Sequence, residues 1–298
     1  MIKRTLFFTN PAYLKTKNKQ LVISYPDKDK EVKTIAIEDI GIIVLENQQI
    51  TLTNGLIANL CKNNTTIITC DDKHIPVCVL QPLTGHSEQT ERYQFQLNAS
   101  IPLKKALWQQ TISKKIKNQA ILLHLNKIPC HKMYKWAKDV KSGDTENHES
   151  RAAVFYWKKL FDIQYFTREQ FGIYPNNFLN YGYAVLRAVT ARALVSSGML
   201  PSVGIFHKNK YNAFCLADDI MEPYRPFVDK LVFKIINENP NITELHTTIK
   251  MQLLQIPVLD VYIDKKRSPL MIAMSRTTNS LFECFKGIHR KIKYPELQ

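Results

Sequence analysis

The fold of this chain is decided around one short stretch, Gln81-Pro82-Leu83-Thr84-Gly85. Proline and glycine punctuate the stretch, and the hydrophobic pattern differs on its two sides. Before it, short runs rich in branched and aromatic residues predict β-strands at 3–9, 20–25, 32–37, 41–45, 65–70 and 75–80. We therefore predict a small β domain at 1–80 and a linker at 81–90.

Helical patterns occur once before the linker and repeatedly after it. Residues 53–60 have the pattern of a short capped helix inserted between strands. From Trp108 to Leu123, apolar residues recur every three or four positions, which places them on one face of a helix. Further helices are predicted at 147–161, 178–197, 218–239 and 242–254. The predicted fold is α+β, with a sandwich-like N-terminal β domain followed by a larger, mainly α-helical domain at 91–298.

The composition of the 298 residues indicates a folded protein with a polyanionic partner. Hydrophobic residues make up 45%, and 41 Lys plus Arg against 26 Asp plus Glu give a formal net charge of +15. Between residues 101 and 141 there are ten lysines and one acidic residue, Asp139. Lys114 and Lys117 fall opposite the apolar face of their helix, where they suit phosphate binding without base reading. The alternative is an ordinary solvated helix face.

The sequence lacks the patterns of a membrane span, a signal peptide and a cysteine pair. No run approaches the roughly 20 apolar residues of a membrane span, and the N-terminal apolar run is too short for a signal peptide. None of the six cysteines forms a C-x-x-C pair, which favours free thiols. We therefore expect a cytoplasmic protein with no membrane partner.

Glu149 is the first candidate for chemistry. It opens a predicted helix and shares a face with Ala152, Ala153 and Tyr156, so it is expected to face packed protein. A carboxylate in such surroundings needs a cation, a hydrogen bond or a metal. The alternative is a carboxylate that only complements the helix N-terminus.

The second candidate site lies in residues 204–226. His207 precedes a turn that contains Lys208 and Lys210, and Asp218 is a predicted N-cap that places Asp219 and Glu222 on one face. Pro223 is expected to bias Glu222 away from helical geometry. Two carboxylates and an imidazole suit Mg²⁺ or Mn²⁺ better than zinc. The alternative is a structural histidine.

Other reaction classes lack their motifs. The sequence contains no G-x-x-x-x-G-K-[ST] and no G-x-G-x-x-G, which disfavours nucleotide-driven chemistry. It also contains no G-x-S-x-G, so an acyl-enzyme mechanism has no support.

Two stretches together carry a family resemblance. Residues 180–188 (NYGYAVLRA) and 204–223 (GIFHKNKYNAFCLADDIMEP) closely resemble the CRISPR-associated spacer-integration endonucleases, the universal adaptation subunit, in the form that accompanies type II loci. The resemblance covers essentially the whole chain. It implies an endonuclease and integrase that uses Mg²⁺ or Mn²⁺ and joins the 3′-hydroxyl ends of foreign DNA to the CRISPR repeat array by transesterification.

The resemblance also implies site residues and partners. The family's metal ligands correspond to Glu149, His207 and Glu222, with Asp219 as a secondary candidate; many relatives carry Asp at the last position. The implied DNA-contacting lysines are Lys114, Lys117, Lys208 and Lys210. The implied partners are double-stranded DNA, from the foreign fragment and the repeat, a second copy of the chain paired through the β domain, a small second adaptation protein and other type II CRISPR proteins. The alternative function is a non-catalytic, sequence-tolerant DNA-binding scaffold.

Overall fold

The computed structural model describes residues 3–27, 29–72, 76–161, 163, 166–169 and 172–298. Its N-terminal part is built of strands with one inserted helix. In chain order these are β1 (Arg4–Phe8), β2 (Ala12–Lys17), β3 (Gln20–Ser24), β4 (Lys33–Ala36), β5 (Ile40–Leu45), β6 (Ile50–Leu52), α1 (Asn54–Lys62), β7 (Thr66–Cys70) and β8 (Pro76–Leu80). The predicted strands and inserted helix are present, and β2 and β6 are additional; Ile75, the first residue of the last predicted strand, lies outside the described residues.

The strands form two four-stranded sheets. One has the order β1-β5-β7-β8, in which β1, β5 and β7 are parallel and β8 is antiparallel to β7. The other has the order β4-β3-β2-β6, in which only β2 and β6 are parallel. The Thr53 hydroxyl caps α1 by accepting from the backbone N–H of Leu56 at 3.4 Å.

Strand β5 connects two hydrophobic cores. All six of its residues are buried. Because side chains alternate across a strand, Ile43 contributes to a small core between the sheets, and Ile42 and Val44 contribute to the core of the helical region. A parallel strand buried on both faces is consistent with its nearly continuous apolar sequence.

The second part of the chain is mainly helical. Its helices are α2 (Gln89–Leu97), α3 (Ile101–Leu125), α4 (His131–Asp139), α5 (His148–Leu160), α6 (Asn176–Ser196), α7 (Cys215–Met221), α8 (Arg225–Glu238), α9 (Thr247–Leu253) and α10 (Leu270–Phe285). A hairpin of β9 (Asp260–Ile263) and β10 (Lys266–Pro269) precedes α10. The predicted α+β class, with a β-rich N-terminal region and a mainly helical remainder, is confirmed.

Helix α3 is the central element of this second region. Ser100 caps it, and its buried positions include Trp108, Ile112 and Ile116, as the periodicity predicted. Lys115 and Gln119 also lie on its buried side, although they are polar.

Two helix predictions need correction. The predicted helix at 218–239 is two helices, α7 and α8, joined by a 3-10 turn at Glu222–Tyr224. Helix α7 begins at Cys215, so Asp218 lies within it and is not an N-cap. Just before this start the Asn212 side chain accepts a hydrogen bond from the N–H of Phe214 at 2.9 Å, which forms a local turn.

Three further sequence predictions meet different outcomes. The domain boundary near residue 80 and the linker at 81–90 stay predictions, although α2 begins within that range at Gln89. The six cysteines are free, as predicted. Among the residues that the structure describes, no helix is long and apolar enough to cross a membrane.

Candidate active site

Glu149 is fixed by an acid-capped helix start. Asp144 Oδ1 accepts from the N–H of His148 at 2.9 Å, and Asp144 Oδ2 accepts from the N–H of Glu149 at 3.0 Å. The chain reaches this position through a tight turn, in which Gly143 has a φ of 76°. The first turn of α5 is thereby anchored, and its N–H groups are satisfied by a carboxylate that also complements the helix dipole.

Glu222 is buried at the junction of α7 and α8. Its φ of −51° and ψ of −48° are helical, so the expectation that Pro223 would force it out of helical geometry is wrong. Pro223 falls in the first turn of a new helical segment, where a backbone N–H is not needed. The break between the two helices therefore comes at Glu222 without distorting it.

Glu149 and Glu222 meet at one ammonium group. Lys115 Nζ lies 2.6 Å from Glu149 Oε1 and 2.6 Å from Glu222 Oε2. Arg225 Nε lies 2.9 Å from the other oxygen of Glu222. We call Glu149 and Glu222 the lysine-bridged pair. Three separate helical elements, α3, α5 and the 3-10 turn, thus place opposite charges at one point.

The neighbouring charges shift the pKa values of Lys115 and Glu222. Burial alone would lower the pKa of Lys115, but Glu222 and Glu149 raise it above its ordinary value. Burial alone would raise the pKa of Glu222, but Arg225 and Lys115 hold it below its ordinary value. Both shifts favour the charged forms of Lys115 and Glu222.

His207 is held by Asp219. The imidazole Nδ1 lies 2.5 Å from Asp219 Oδ1, and the other carboxylate oxygen accepts from the N–H groups of Ile205 at 2.7 Å and Phe206 at 2.9 Å. A Cβ atom at Gly204 would lie 2.7 Å from that oxygen, so only glycine allows this close approach. The carboxylate thereby fixes both the loop and the ring.

His207 interacts electrostatically with the lysine-bridged pair. The hydrogen bond that His207 makes to Asp219 raises the pKa of His207 against the effect of burial, and the charges of Asp219, Glu222 and Glu149 raise it further. The ring also meets Trp108 edge-on at a centroid distance of 5.6 Å. His207 therefore lies within electrostatic reach of both glutamates, on the same side of α3.

Glu149, Glu222 and His207 are the side chains that could bind a divalent ion. Among the described residues, no three carboxylate, imidazole or thiolate groups are close enough to form a ready cation site. However, Glu149 and Glu222 already share one cation, and the Nδ1 bond to Asp219 leaves Nε2 of His207 as the free ring nitrogen. A histidine ligand held by a carboxylate through its other nitrogen is the usual arrangement at metal sites. As donor types, two carboxylates and one imidazole suit Mg²⁺ or Mn²⁺ better than a softer ion.

Asp219 itself is placed differently from the other candidates. It is fully buried, and both of its oxygens accept hydrogen bonds from residues 205–207. Burial raises its pKa, and the bonds from His207 and the backbone act in the opposite direction. Its geometry suits the positioning of His207 rather than direct ligation.

A further buried carboxylate, Asp229, lies one helix turn beyond Arg225. Asp229 Oδ2 accepts from Tyr156 at 2.8 Å, and Oδ1 accepts from Tyr183 at 2.5 Å. Burial raises the pKa of Asp229 to about 6, and the two tyrosine hydroxyls oppose the shift. The guanidinium carbons of Arg225 and Arg168 lie 4.6 Å and 5.2 Å from the centre of the Tyr183 ring.

The four predicted DNA-binding lysines fall into two groups. Lys114 and Lys117 both pair with Glu296, at 3.1 Å and 2.9 Å. Lys208 and Lys210 are exposed next to His207 and make no ion pair with any described residue. Only the second group is therefore both close to the candidate site and free of an acidic partner.

Lys115 and Arg225 are the site residues that sequence reasoning missed. Lys115 was counted only as one basic residue of a phosphate-binding stretch. Its position was informative, because it lies three residues after Ile112 and therefore on the apolar side of the helix. A lysine on such a face needs a buried acidic partner.

Comparison with known proteins agrees with this fold. A family model described as CRISPR associated protein Cas1 matches residues 6–253. The CRISPR-associated endonuclease Cas1 of Neisseria meningitidis serogroup C (strain 8013) is 35% identical over 300 residues, covering 100% of this chain and 97% of the relative. A second Cas1 endonuclease, from Saccharolobus solfataricus (strain ATCC 35092 / DSM 1617 / JCM 11322 / P2), is 24% identical over 76% of this chain and 72% of the relative.

Solved structures show the same fold at low sequence identity. A casposase bound to integration product superposes with a TM-score of 0.80 at 19% identity, covering 100% of this chain and 95% of that one. A Cas1 protein from Thermotoga maritima superposes with a TM-score of 0.76 at 15% identity, covering 99% and 100%. Since the family model spans most of the chain and the Neisseria relative matches it throughout, this chain belongs to the Cas1 family of CRISPR-associated endonucleases.

Proposed function

We propose that this chain is a metal-dependent DNA endonuclease and integrase of CRISPR adaptation, in the type II form. It joins the 3′-hydroxyl ends of foreign DNA fragments to the CRISPR repeat array by transesterification. The observation that carries the proposal is the meeting of Glu149 and Glu222 at the ammonium of Lys115. Both glutamates also raise the pKa of His207, which lies within their electrostatic reach. The endonuclease name of the Neisseria relative and the integration product in the casposase structure support it.

The residues that would hold the ion are Glu149, Glu222 and His207 through Nε2. When bound, Mg²⁺ or Mn²⁺ supplies charge neutralisation at the phosphate and alignment of the reacting oxygens. Asp219 keeps the imidazole in a fixed orientation with Nδ1 occupied. Arg225 remains against Glu222 and adds positive charge next to the anionic substrate.

The proposed partners follow from charge and from the family. Lys208 and Lys210 extend a positive surface from the site, which suits binding to DNA of arbitrary sequence. The relatives include a Cas6-RT-Cas1–Cas2 complex, superposed at a TM-score of 0.77 and 18% identity over 99% of this chain and 36% of that one, which supports a small second adaptation protein as partner. We further propose a homodimer through the β domain, association with other type II CRISPR proteins, and a cytoplasmic location in a prokaryote.

Strand transfer by the purified protein tests the function. A duplex with 3′-hydroxyl ends and a supercoiled plasmid that carries a repeat are incubated with Mn²⁺ or with a chelator. We expect joining only with the metal, and loss of joining in Glu149→Gln and His207→Asn. Glu238→Gln, an exposed acid that pairs with Lys234, is the control that keeps activity.

The same assay separates the enzyme from the scaffold alternative. DNA binding by the two site variants is measured in parallel, together with their thermal melting. Variants that fold, bind DNA and no longer join it support the enzyme. Variants that fold and still join or cut DNA would mean that the acidic cluster is structural and that the metal-site assignment is wrong.

A further inference from the structure

Lys115 occupies the point at which the two candidate carboxylate ligands meet. Its side chain is 11% exposed, against 25% for Glu149 and 6% for Glu222. A divalent cation that binds the same two glutamates would come within a few ångströms of the ammonium. Two cations at that distance in a partly buried site repel strongly. The ammonium and the metal ion therefore exclude each other from this position.

A second position for the ammonium lies one helical turn along α3. Gln119 is 2% exposed, and its Oε1 accepts no hydrogen bond from the described residues. Lys115 and Gln119 both line a small pocket of about 70 Å³. Residues at i and i+4 are neighbours on a helix, and a pocket of this size exceeds the space that one water molecule needs. The lysine can therefore reach a buried acceptor without leaving the protein interior.

The charges around the pocket make this second position less favourable than the first. Arg168 and Arg225 also line the pocket and repel a third cation. Asp229 attracts it, but both oxygens of Asp229 already accept from tyrosines. By contrast, the first position offers two carboxylates at 2.6 Å. Movement of the ammonium to Gln119 therefore raises the free energy of the protein. The binding free energy of the metal ion has to offset this increase.

We infer that Lys115 is a built-in competitor for the metal site: its ammonium holds Glu149 and Glu222 together without metal and moves to Gln119 when a divalent ion binds. The inference rests on the proposed function, since it takes the lysine-bridged pair as metal ligands. It gives Lys115 two effects of opposite sign. It stabilises the protein without metal, and it weakens the apparent affinity for the ion.

The first experiment measures Mn²⁺ binding by calorimetry and by thermal shift, without DNA. Lys115→Met keeps most of the length of the side chain and removes its charge. We expect Lys115→Met to melt lower than wild type without metal, to bind Mn²⁺ roughly tenfold more tightly or better, and to be stabilised more by Mn²⁺. Lys115→Arg, which keeps the charge, is expected to bind Mn²⁺ no more tightly than wild type.

Lys250→Met is the matched control. Lys250 is a second buried lysine, and it pairs with the buried Glu46 far along the chain from the site. Lys250→Met also removes the ion pair of a buried carboxylate. This ion pair involves neither His207 nor the lysine-bridged pair. We expect Lys250→Met to melt lower and to gain no more stability from Mn²⁺ than wild type does.

Gln119→Leu tests the second position independently. Removal of the acceptor raises the free energy of the displaced lysine, so Mn²⁺ affinity should fall in the wild-type background. In the Lys115→Met background the same change should have no effect, because no ammonium needs the acceptor. This double-mutant cycle isolates the coupling between Lys115 and Gln119.

The outcomes separate the inference from the proposed function. If wild type binds Mn²⁺ and joins DNA, but Lys115→Met binds Mn²⁺ equally or more weakly, Lys115 is not a competitor and only the inference fails. If neither protein binds Mn²⁺, the metal site of the proposed function fails and the inference fails with it. Tighter binding by Lys115→Met supports the inference if Gln119→Leu also weakens Mn²⁺ binding in wild type and has no effect in the Lys115→Met background. No effect of Gln119→Leu in wild type would overturn the assignment of Gln119 as the second position.

Discussion

Glu222 and Asp229 are both fully enclosed carboxylates, seven residues apart, yet their surroundings are opposite. Glu222 faces the ammonium of Lys115 and the guanidinium of Arg225. Asp229 faces the hydroxyls of Tyr156 and Tyr183. The pKa of Glu222 is accordingly held below its ordinary value, whereas the pKa of Asp229 is raised to about 6.

The difference indicates two roles for a buried acid. Asp229 accepts from two neutral hydroxyls and has no paired cation that a metal ion could replace. Its hydrogen bonds instead hold α5, α6 and α8 relative to one another. Cations satisfy Glu222, and one cation can be replaced by another. A carboxylate balanced by a movable lysine is therefore suited to binding a metal ion, and a carboxylate bound by tyrosines is not.

The largest expected effect is on stability when each acid loses its charge. Glu222→Gln leaves Lys115 and Arg225 with less counter-charge in a buried site, and we expect a loss of about 3–5 kcal/mol in the free energy of unfolding. Asp229→Asn removes a charge whose burial is unfavourable, so at pH 7 its cost should be much smaller. Urea unfolding of both variants at pH 7 measures the two values, and equal losses would contradict the comparison.

The next effect is the pH dependence contributed by Asp229. Its pKa rises from 3.8 in the unfolded chain to about 6 in the folded protein, so the folded state binds this proton more tightly. The stability contributed by the protonated form is present below pH 3.8 and is lost as the pH rises to about 6. We expect wild type to lose on the order of 3 kcal/mol relative to Asp229→Asn across this range. Parallel unfolding curves from pH 4 to 7 measure it, and a constant difference would show that the shift is absent.

A smaller effect is expected at the carboxylate that orients the histidine. Asp219→Asn keeps the shape but weakens the hold on His207 Nδ1, and we expect Mn²⁺ affinity to fall by roughly 10- to 100-fold. Asp218→Asn is the matched control, because Asp218 pairs with Arg187 and Asn212 and does not contact His207. Calorimetry on the two variants checks this, and similar affinities for both would remove the positioning role from Asp219.

The smallest expected effect is on the salt dependence of DNA binding by the surface lysines. Two of these lysines pair with an acidic residue and two do not. Neutralising Lys208 or Lys210 should reduce the slope of log affinity for duplex DNA against log salt by about 0.9 each. Neutralising Lys114 or Lys117 should reduce it less, because Glu296 already offsets both. Fluorescence anisotropy over a salt series measures the slopes, and equal changes at all four positions would show that the ion pairs with Glu296 do not persist on DNA.

Parts of the fold could be predicted because their signals are local. The apolar stripe of α3 and the branched runs of β5 and β7 are set by periodicity within a few residues. The division of residues 215–238 into two helices at Glu222–Tyr224 was missed, because Pro223 fits both an irregular helix start and the first turn of a new helical segment, and only the folded structure shows which one forms.

The α+β class, the basic charge and the candidate chemical residues could be inferred from the sequence, since they follow from composition, local periodicity and a recognisable motif. The folded structure was needed to show that Glu149 and Glu222, 73 residues apart, meet at Lys115, that Asp219 holds His207, and that two tyrosines donate to Asp229. The physical reason is that the state of a buried charge depends on which partners the packing of distant helices brings within about 3 Å of it. That distance is a property of the folded chain, not of any segment of it.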